Sequence, residues 1–223
     1  MEGSLRDDIP PGLVLIETLR RDPAGFVRLP AHLARLAAGA AALGIPHDAA
    51  AIARALDGIA GGGPLRVRLT LARDGAAAAT AAPLGPAKPA WTVVLARERL
   101  RAGDPWLRLK SSRRPAHDAA RAALAEGADE ALLLNERGEI CEGTITTVFA
   151  DLGHGLLTPP LASGVLPGIL RAELLATGAA REAVLRPADL AGARLFVGNS
   201  LRGLIPARLA GSGSDARGIA SGC

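Results

Sequence analysis

In Leu65–Gly75, LRVRLTLARDG, every second residue from Leu65 to Leu71 is apolar, and the run closes on Asp74-Gly75. Period-two alternation commits a segment to a half-buried strand, because successive side chains point to opposite faces, and Asp-Gly favours a turn. Residues 76–82 continue as the return strand despite their alanine content. Before this hairpin, residues 13–19 (LVLIETL) read as a buried strand and 25–29 (GFVRL) as a second, joined through a turn at Asp22–Gly25. Helical spacing of Leu33, Leu36, Ala40 and Leu43 predicts a helix over 30–43 that Gly44 closes. A second helix is expected over 49–59, stopped by Gly61-Gly62-Gly63-Pro64.

The rest of the chain repeats this logic. PLGPAKPA (83–90) reads as a linker and WTVVLA as a strand, while the charged residues 97–109 look like a loop and a domain boundary. An alanine-rich helix is expected over 114–127. DEALLLNERGEICEG then reads as two strands around a tight turn at 135–138. TITTVFAD and GLLTPP are further strands, 166–176 is a helix behind Pro167-Gly168, 194–197 a strand, and 198–210 a loop and closing segment. Runs of strands with helices between them favour two small α+β domains over a doubly wound sheet. The expected division is 1–97, 98–210 and a flexible tail 211–223.

Composition narrows the function. The 223 residues bury a substantial core, and no apolar run approaches the ~20 residues of a membrane span. With no signal-like N-terminus, the expected location is cytoplasmic. Cys141 and Cys223 form no disulfide framework: the first reads as a small core residue and the second ends the tail. A net charge of +4 is compatible with nucleic acid, but the arginines are dispersed, and 2% aromatics with no tyrosine offer few stacking platforms. The reading is therefore no nucleic acid and no membrane. Four scattered histidines, without CxxC or HExxH, give no metal site. Only Lys88 and Lys110 are lysines, so chemistry that needs an amine nucleophile has two candidates.

Lys110 lies among Arg108, Arg113 and Arg114 at the entry to a helix. It fits either a solvated cation or an amine whose proton is loosened by like charge and which forms a Schiff base with an aldehyde. Glu142, in ICEGTITTVF, is either a buried acid in need of a partner or a glutamate on an edge strand. Arg35 suits a solvated helix face. Gly168-Ile169-Leu170 opens a helix, where free N–H groups and the helix dipole favour an anion, or is an ordinary helix start. Asn199-Ser200 reads equally as a simple turn.

The order of these blocks carries more than each alone. IETLR, HLARL, LK with RR and AARAAL, GADEALLLNERGEICEGTITTVF, LLTPPLASGVLPGILRAELL and LFVGNSLRGLIPA together resemble the class IV aminotransferase family over roughly residues 13–208. The resemblance implies a D-amino acid aminotransferase-like α+β fold with pyridoxal 5′-phosphate (PLP) in the cleft between two domains, and a homodimer. By position, Lys110 matches the lysine that holds the cofactor and shuttles the substrate Cα proton. Glu142 matches the partner of the pyridine nitrogen. Arg35, the N–H groups of Ile169 and Leu170, and Ser200 match the phosphate-binding set. Three departures stand out: the opening hairpin before IETLR is reduced or absent, Thr147 replaces the usual asparagine, and His117 replaces a common tyrosine.

Two chemistries are implied for a small-molecule amino substrate. Compact length, the RR–helix after Lys110 and the GNSLRGLIPA ending look more like the 4-amino-4-deoxychorismate lyase branch of folate synthesis. There Thr18 matches a proton-relaying threonine, or is simply a strand threonine. The transaminase alternative, of the branched-chain or D-amino acid type, needs a cation for a 2-oxo acid carboxylate, with Arg20 and Arg108 as candidates. A non-catalytic PLP-binding relative is the alternative of another class.

Overall fold

The computed structural model describes residues 5–6 and 9–210. The expected tail with Cys223 lies outside them. Strands β1 (Val14–Asp22), β2 (Gly25–Phe26), β3 (Leu65–Ala72) and β4 (Ala77–Pro83) form one antiparallel sheet in the order β2-β1-β3-β4. Helices α1 (Leu29–Leu43) and α2 (Ala49–Asp57) cover one face of it. The alternation in β3 does what the sequence predicts: Leu65, Val67, Leu69 and Leu71 enter a core with Leu15, Leu19, Leu36, Leu43 and Ile52. Burying side chains of this size stabilises by roughly 1.5–3 kcal/mol each. Arg66, Arg68 and Thr70 consequently emerge on the opposite face.

The second sheet comprises β5 (Trp91–Leu100), β6 (Glu130–Asn135), β7 (Ile140–Gly143), β8 (Thr147–Asp151), β9 (Leu156–Thr158), β10 (Ala180–Glu182), β11 (Arg194–Asn199) and β12 (Gly203–Leu209). Its order is β10-β9-β8-β11-β12-β5-β6-β7, and β7 also pairs with β8 through Glu142 and Thr147. Six strands therefore close on themselves. β6 is buried on both faces: Leu132 and Leu134 join Val93, Ile140, Val148 and Val197 in one core, while Ala131 and Leu133 pack with Cys141 and Ala120 of α3 (Pro115–Ala122) in another. Helix α4 (Ile169–Ala176) packs through Leu170 on Phe149 and Ala180. Burial pushes the Cys141 thiol up to about 12, in keeping with its core position.

Several boundaries depart from the sequence pattern. Residues 97–100, expected as a loop, are the end of β5. A shift in its pairing with β6 between Leu95 and Arg99 breaks the alternation that would have revealed the strand. A division between 97 and 98 would cut that strand; the passage from the first sheet to the second falls at residues 84–90. Residues 203–209 are strand β12 and not a loop, masked by Pro206, which faces Phe196 of β11. Strand β2 keeps only two residues, α3 stops at Ala122, and α4 starts three residues later than expected, after Pro167-Gly168. The short β10 and α5 (Pro187–Leu190) left no readable pattern. Among the described residues, no helix is long and apolar enough to cross a membrane, and no acidic, histidine or cysteine cluster could hold a metal.

Candidate active site

A cavity of about 800 Å³ opens between the outer face of the first sheet and the closed strands of the second. Thr18, Arg35, Lys110, Glu142, Ile169, Leu170 and Ser200, the seven residues singled out from the sequence, all lie on its wall.

Lys110 sits where the chain crosses between the sheets. Its carbonyl accepts from Ile16 N–H at 2.8 Å, Ser111 bridges to Leu15, and Ser112 N–H donates to Val14 at 2.9 Å, so 110–112 continue the edge of β1. Desolvation, with the positive charges of Arg35 and Arg114, lowers the amine from its ordinary 10.5 to about 8, against the pull of Glu17 and Glu142. Of the three arginines expected to loosen its proton, Arg114 is among the main contributors. Arg108 donates to the carbonyls of Val165 and Leu161, and Arg113 stacks on the Trp106 ring, 4.6 Å from its centroid.

Glu142 is buried, which removes the edge-strand alternative. Its Oε2 accepts from Leu166 N–H at 3.0 Å and its Oε1 lies 2.8 Å from His117 Nε2. The histidine at the usual tyrosine position thus braces the carboxylate. The hairpin after Glu142 is held by a residue that sequence reasoning did not single out. Fully buried Glu130 accepts from Thr144 N–H at 3.0 Å, Ile145 N–H at 3.1 Å, and the hydroxyls of Thr144 at 2.5 Å and Thr146 at 2.9 Å. Gly143 is required there: a Cβ would run into the Thr146 hydroxyl and sit 2.8 Å from the Glu130 carboxylate.

At the other end of the cavity lies a second missed residue. Glu17 points to the α1 side of β1, in phase with Leu15 and Leu19, and is 1% exposed. Arg35 grips it with two hydrogen bonds (Nε to Oε1, 2.8 Å; Nη2 to Oε2, 2.6 Å) and donates Nη1 to the Pro167 carbonyl at 3.1 Å. One N–H remains on each terminal nitrogen of Arg35. His32 Nδ1 is 2.6 Å from Glu17 Oε2, and His32 Nε2 is 2.8 Å from Ser200 Oγ. Burial opposes ionisation of Glu17, but the bonds and charges of Arg35 and His32 prevail and hold its carboxyl below the usual range. The available signal was a carboxylate in phase with core leucines, facing a helix with His and Arg three apart.

The first turn of α4 has no side-chain cap, so the N–H groups of Ile169 and Leu170 are free of one. A Cβ on Gly168 would lie 2.9 Å from the Thr147 hydroxyl, so glycine lets this helix start approach β8. Arg28 is the one non-glycine residue with positive φ (56°) among the described residues. It pairs with Glu173 of α4 and donates to the Ser200 carbonyl at 3.2 Å. Thr18 faces the cavity in register with Arg68, which itself pairs with Thr80. Arg20 is bound to Asp22 at 2.8 Å and Arg108 to backbone carbonyls, so neither expected cation is free in the cavity; Arg66 and Arg68 line it with no ion pair among the described residues.

An amine of lowered pKa, a buried carboxylate and an uncapped helix start share one cavity wall. The family model for amino-transferase class IV matches residues 14–210, and the chain belongs to that family. It is similar to the crystal structure of a provisionally named amino-acid aminotransferase from Mesorhizobium loti, with 53% identity, a TM-score of 0.84, and 88% of this chain and 99% of the other covered. It is also similar to 4-amino-4-deoxychorismate lyase from Pseudomonas aeruginosa (27%, TM-score 0.73, 88% and 82%). A branched-chain aminotransferase from Thermoproteus uzoniensis shares the fold at 22% identity (TM-score 0.78, 94% and 82%). No curated protein matches the chain.

The lowered Lys110 pKa has a consequence for stability. Below pH 8 the folded protein holds a charge in a desolvated place, whereas the unfolded chain keeps its proton up to 10.5. Wild-type stability therefore gains as pH rises from about 8 to 10.5. Lys110→Met in the cofactor-free protein is expected to melt higher than wild type at pH 7, with the advantage shrinking by pH 10; thermal unfolding at both pH values checks this, and an unchanged advantage contradicts it.

Proposed function

We propose that this protein is a PLP-dependent enzyme in which Lys110 carries the cofactor and moves the substrate proton. The supporting observation is the shared cavity wall: the lowered-pKa amine, the braced Glu142 carboxylate and the donors of Ile169, Leu170, Ser200 and Arg35 suit the aldehyde, ring nitrogen and phosphate of that cofactor. Bound PLP supplies an aldehyde for the amine and a conjugated ring that withdraws electrons from the substrate carbon bearing nitrogen. Glu142, its carboxylate fixed by His117 and Leu166 N–H, would accept a hydrogen bond from the ring nitrogen and favour its protonated form. Lys110 Nζ, neutral in a useful fraction near pH 8, takes the proton from that carbon.

For the reaction we favour 4-amino-4-deoxychorismate lyase. Its substrate has two carboxylates, and the cavity face of the first sheet offers Arg66 and Arg68 beside the Thr18 hydroxyl. Lys110 removes the ring proton next to the amine, the C–O bond to the enolpyruvyl group breaks, and Thr18 passes a proton to the departing group, leaving 4-aminobenzoate and pyruvate. The same reading carries a homodimer, a cytoplasmic location and a place in folate synthesis. Amino-acid transamination is the second reading, favoured by the 53% identity to the Mesorhizobium loti protein. It uses the same Lys110, Glu142 and Arg35.

The absorption spectrum of the protein with PLP separates the readings. Wild type is expected to show a visible cofactor band that Lys110→Ala lacks, and to release pyruvate from 4-amino-4-deoxychorismate. Bleaching by an amino acid with recovery on a 2-oxo acid indicates the transaminase; no band in wild type overturns the PLP reading. Arg68→Ala is expected to raise KM for the doubly charged substrate by about 10–100-fold, the worth of one charge-assisted hydrogen bond, while leaving the cofactor band intact. Steady-state kinetics check this, and an unchanged KM removes Arg68 from the substrate site.

A further inference from the structure

Glu17 and His32 are almost wholly buried, His32 lies on the cavity wall, and their hydrogen bonds lead to Ser200. Their hydrogen bonds fix where protons can be. Glu17 is ionised and therefore accepts, so His32 Nδ1 carries a proton and donates it across 2.6 Å. In the neutral ring Nε2 is then only an acceptor, and the Ser200 hydroxyl must spend its single proton on it across 2.8 Å. Ser200 in that state presents only lone pairs to the cavity, the wrong polarity for an anion. A ring protonated on both nitrogens reverses the second bond: Nε2–H donates to Ser200 Oγ and the hydroxyl proton is released toward the cavity.

We propose that Glu17 and His32 are positioning residues of the anion-binding end, and that His32 takes up one proton from solvent when a doubly charged phosphate-like anion docks on Ser200. The proposal rests on the reading that this end of the cavity holds a phosphate group. An imidazolium at His32 would meet the fields of four charged side chains. Glu17 of β1 stabilises it. Arg35 of α1 already shares that carboxylate, Arg28 at the α1 start is paired with Glu173 of α4, and Lys110 lies across the cavity. An incoming dianion adds the charge that tips the balance. By linkage, an affinity coupled to the uptake of one proton weakens by up to about tenfold per pH unit.

Sulfate is the probe, because it stays doubly charged across the working range. Calorimetric titration of the cofactor-free protein at pH 8, in two buffers of different ionisation enthalpy, counts the protons taken up. Ring ¹⁵N spectra, with His32 assigned by its loss in His32→Gln, report where they go. The expected result is close to one more proton per sulfate in wild type than in Ser200→Ala, and conversion of His32 from singly to doubly protonated. Uptake by Lys110 is common to both proteins and cancels. Equal uptake in the two proteins, a His32 ring that stays neutral, or one already doubly protonated before sulfate is added overturns the relay while leaving the anion site standing. If sulfate does not bind, or leaves the Ile169 and Leu170 amide resonances unmoved, the phosphate reading of this end fails and the relay with it.

Discussion

The carboxylate of Glu17 is the interaction on which the geometry of the cavity hangs. From the buried face of β1 it collects two hydrogen bonds from Arg35 and one from His32, and through them reaches the Pro167 carbonyl before α4 and the Ser200 hydroxyl after β11. One side chain thereby ties the first sheet to two loops of the second sheet, those of Pro167 and Ser200. A buried ion pair of this kind is costly to assemble, and losing one partner strands the other; such losses run to about 3–5 kcal/mol. The network is better understood as fixing one relative placement of the two sheets than as a large net source of stability.

The two ends of the cavity solve opposite electrostatic problems. At one end Glu142 must stay a positioned acceptor, which His117 and Leu166 N–H ensure, while Glu130 anchors the hairpin that follows through four donors from residues 144–146. At the other lie the uncapped N–H groups of the α4 start and the Ser200 hydroxyl bonded to His32. Lys110 stands between them, its backbone bonded to β1 and its amine desolvated beside Arg35. A lysine in an exposed loop would keep its ordinary pKa. This one releases its proton near pH 8 because the crossing of the chain between the sheets removes water from it.

Much of this was legible in the sequence. The alternation of β3 and the spacing of α1 gave correct elements because each has a buried and a more exposed face, whereas the DEALLLN–RGE–EGT block, buried throughout, was marked by its apolar run and the turn at 135–138. The seven candidate residues came from the ordered motifs of a family resemblance, and the structure places them on the wall of one cavity. What escaped has local physical causes. The end of β5 lost its period at a pairing shift, and β12 was hidden by Pro206. Glu17 and Glu130 are acids whose buried donors come from distant segments, so no local pattern marks them. Arg20 and Arg108 were candidate cations for a 2-oxo acid carboxylate, but neither lines this cavity, and their guanidinium groups bond Asp22, and Val165 and Leu161, respectively.

The central claim is that Lys110, and not Lys88, is the amine that carries the cofactor. Lys88 is exposed and paired with Asp129, whereas Lys110 has the lowered pKa and faces Glu142 across the cavity. Incubation of the protein with PLP, borohydride reduction and peptide mass spectrometry test this directly. The account predicts the reduced cofactor adduct on the peptide containing Lys110, with Lys88 unmodified; an adduct on Lys88 alone, or none on Lys110, would contradict it.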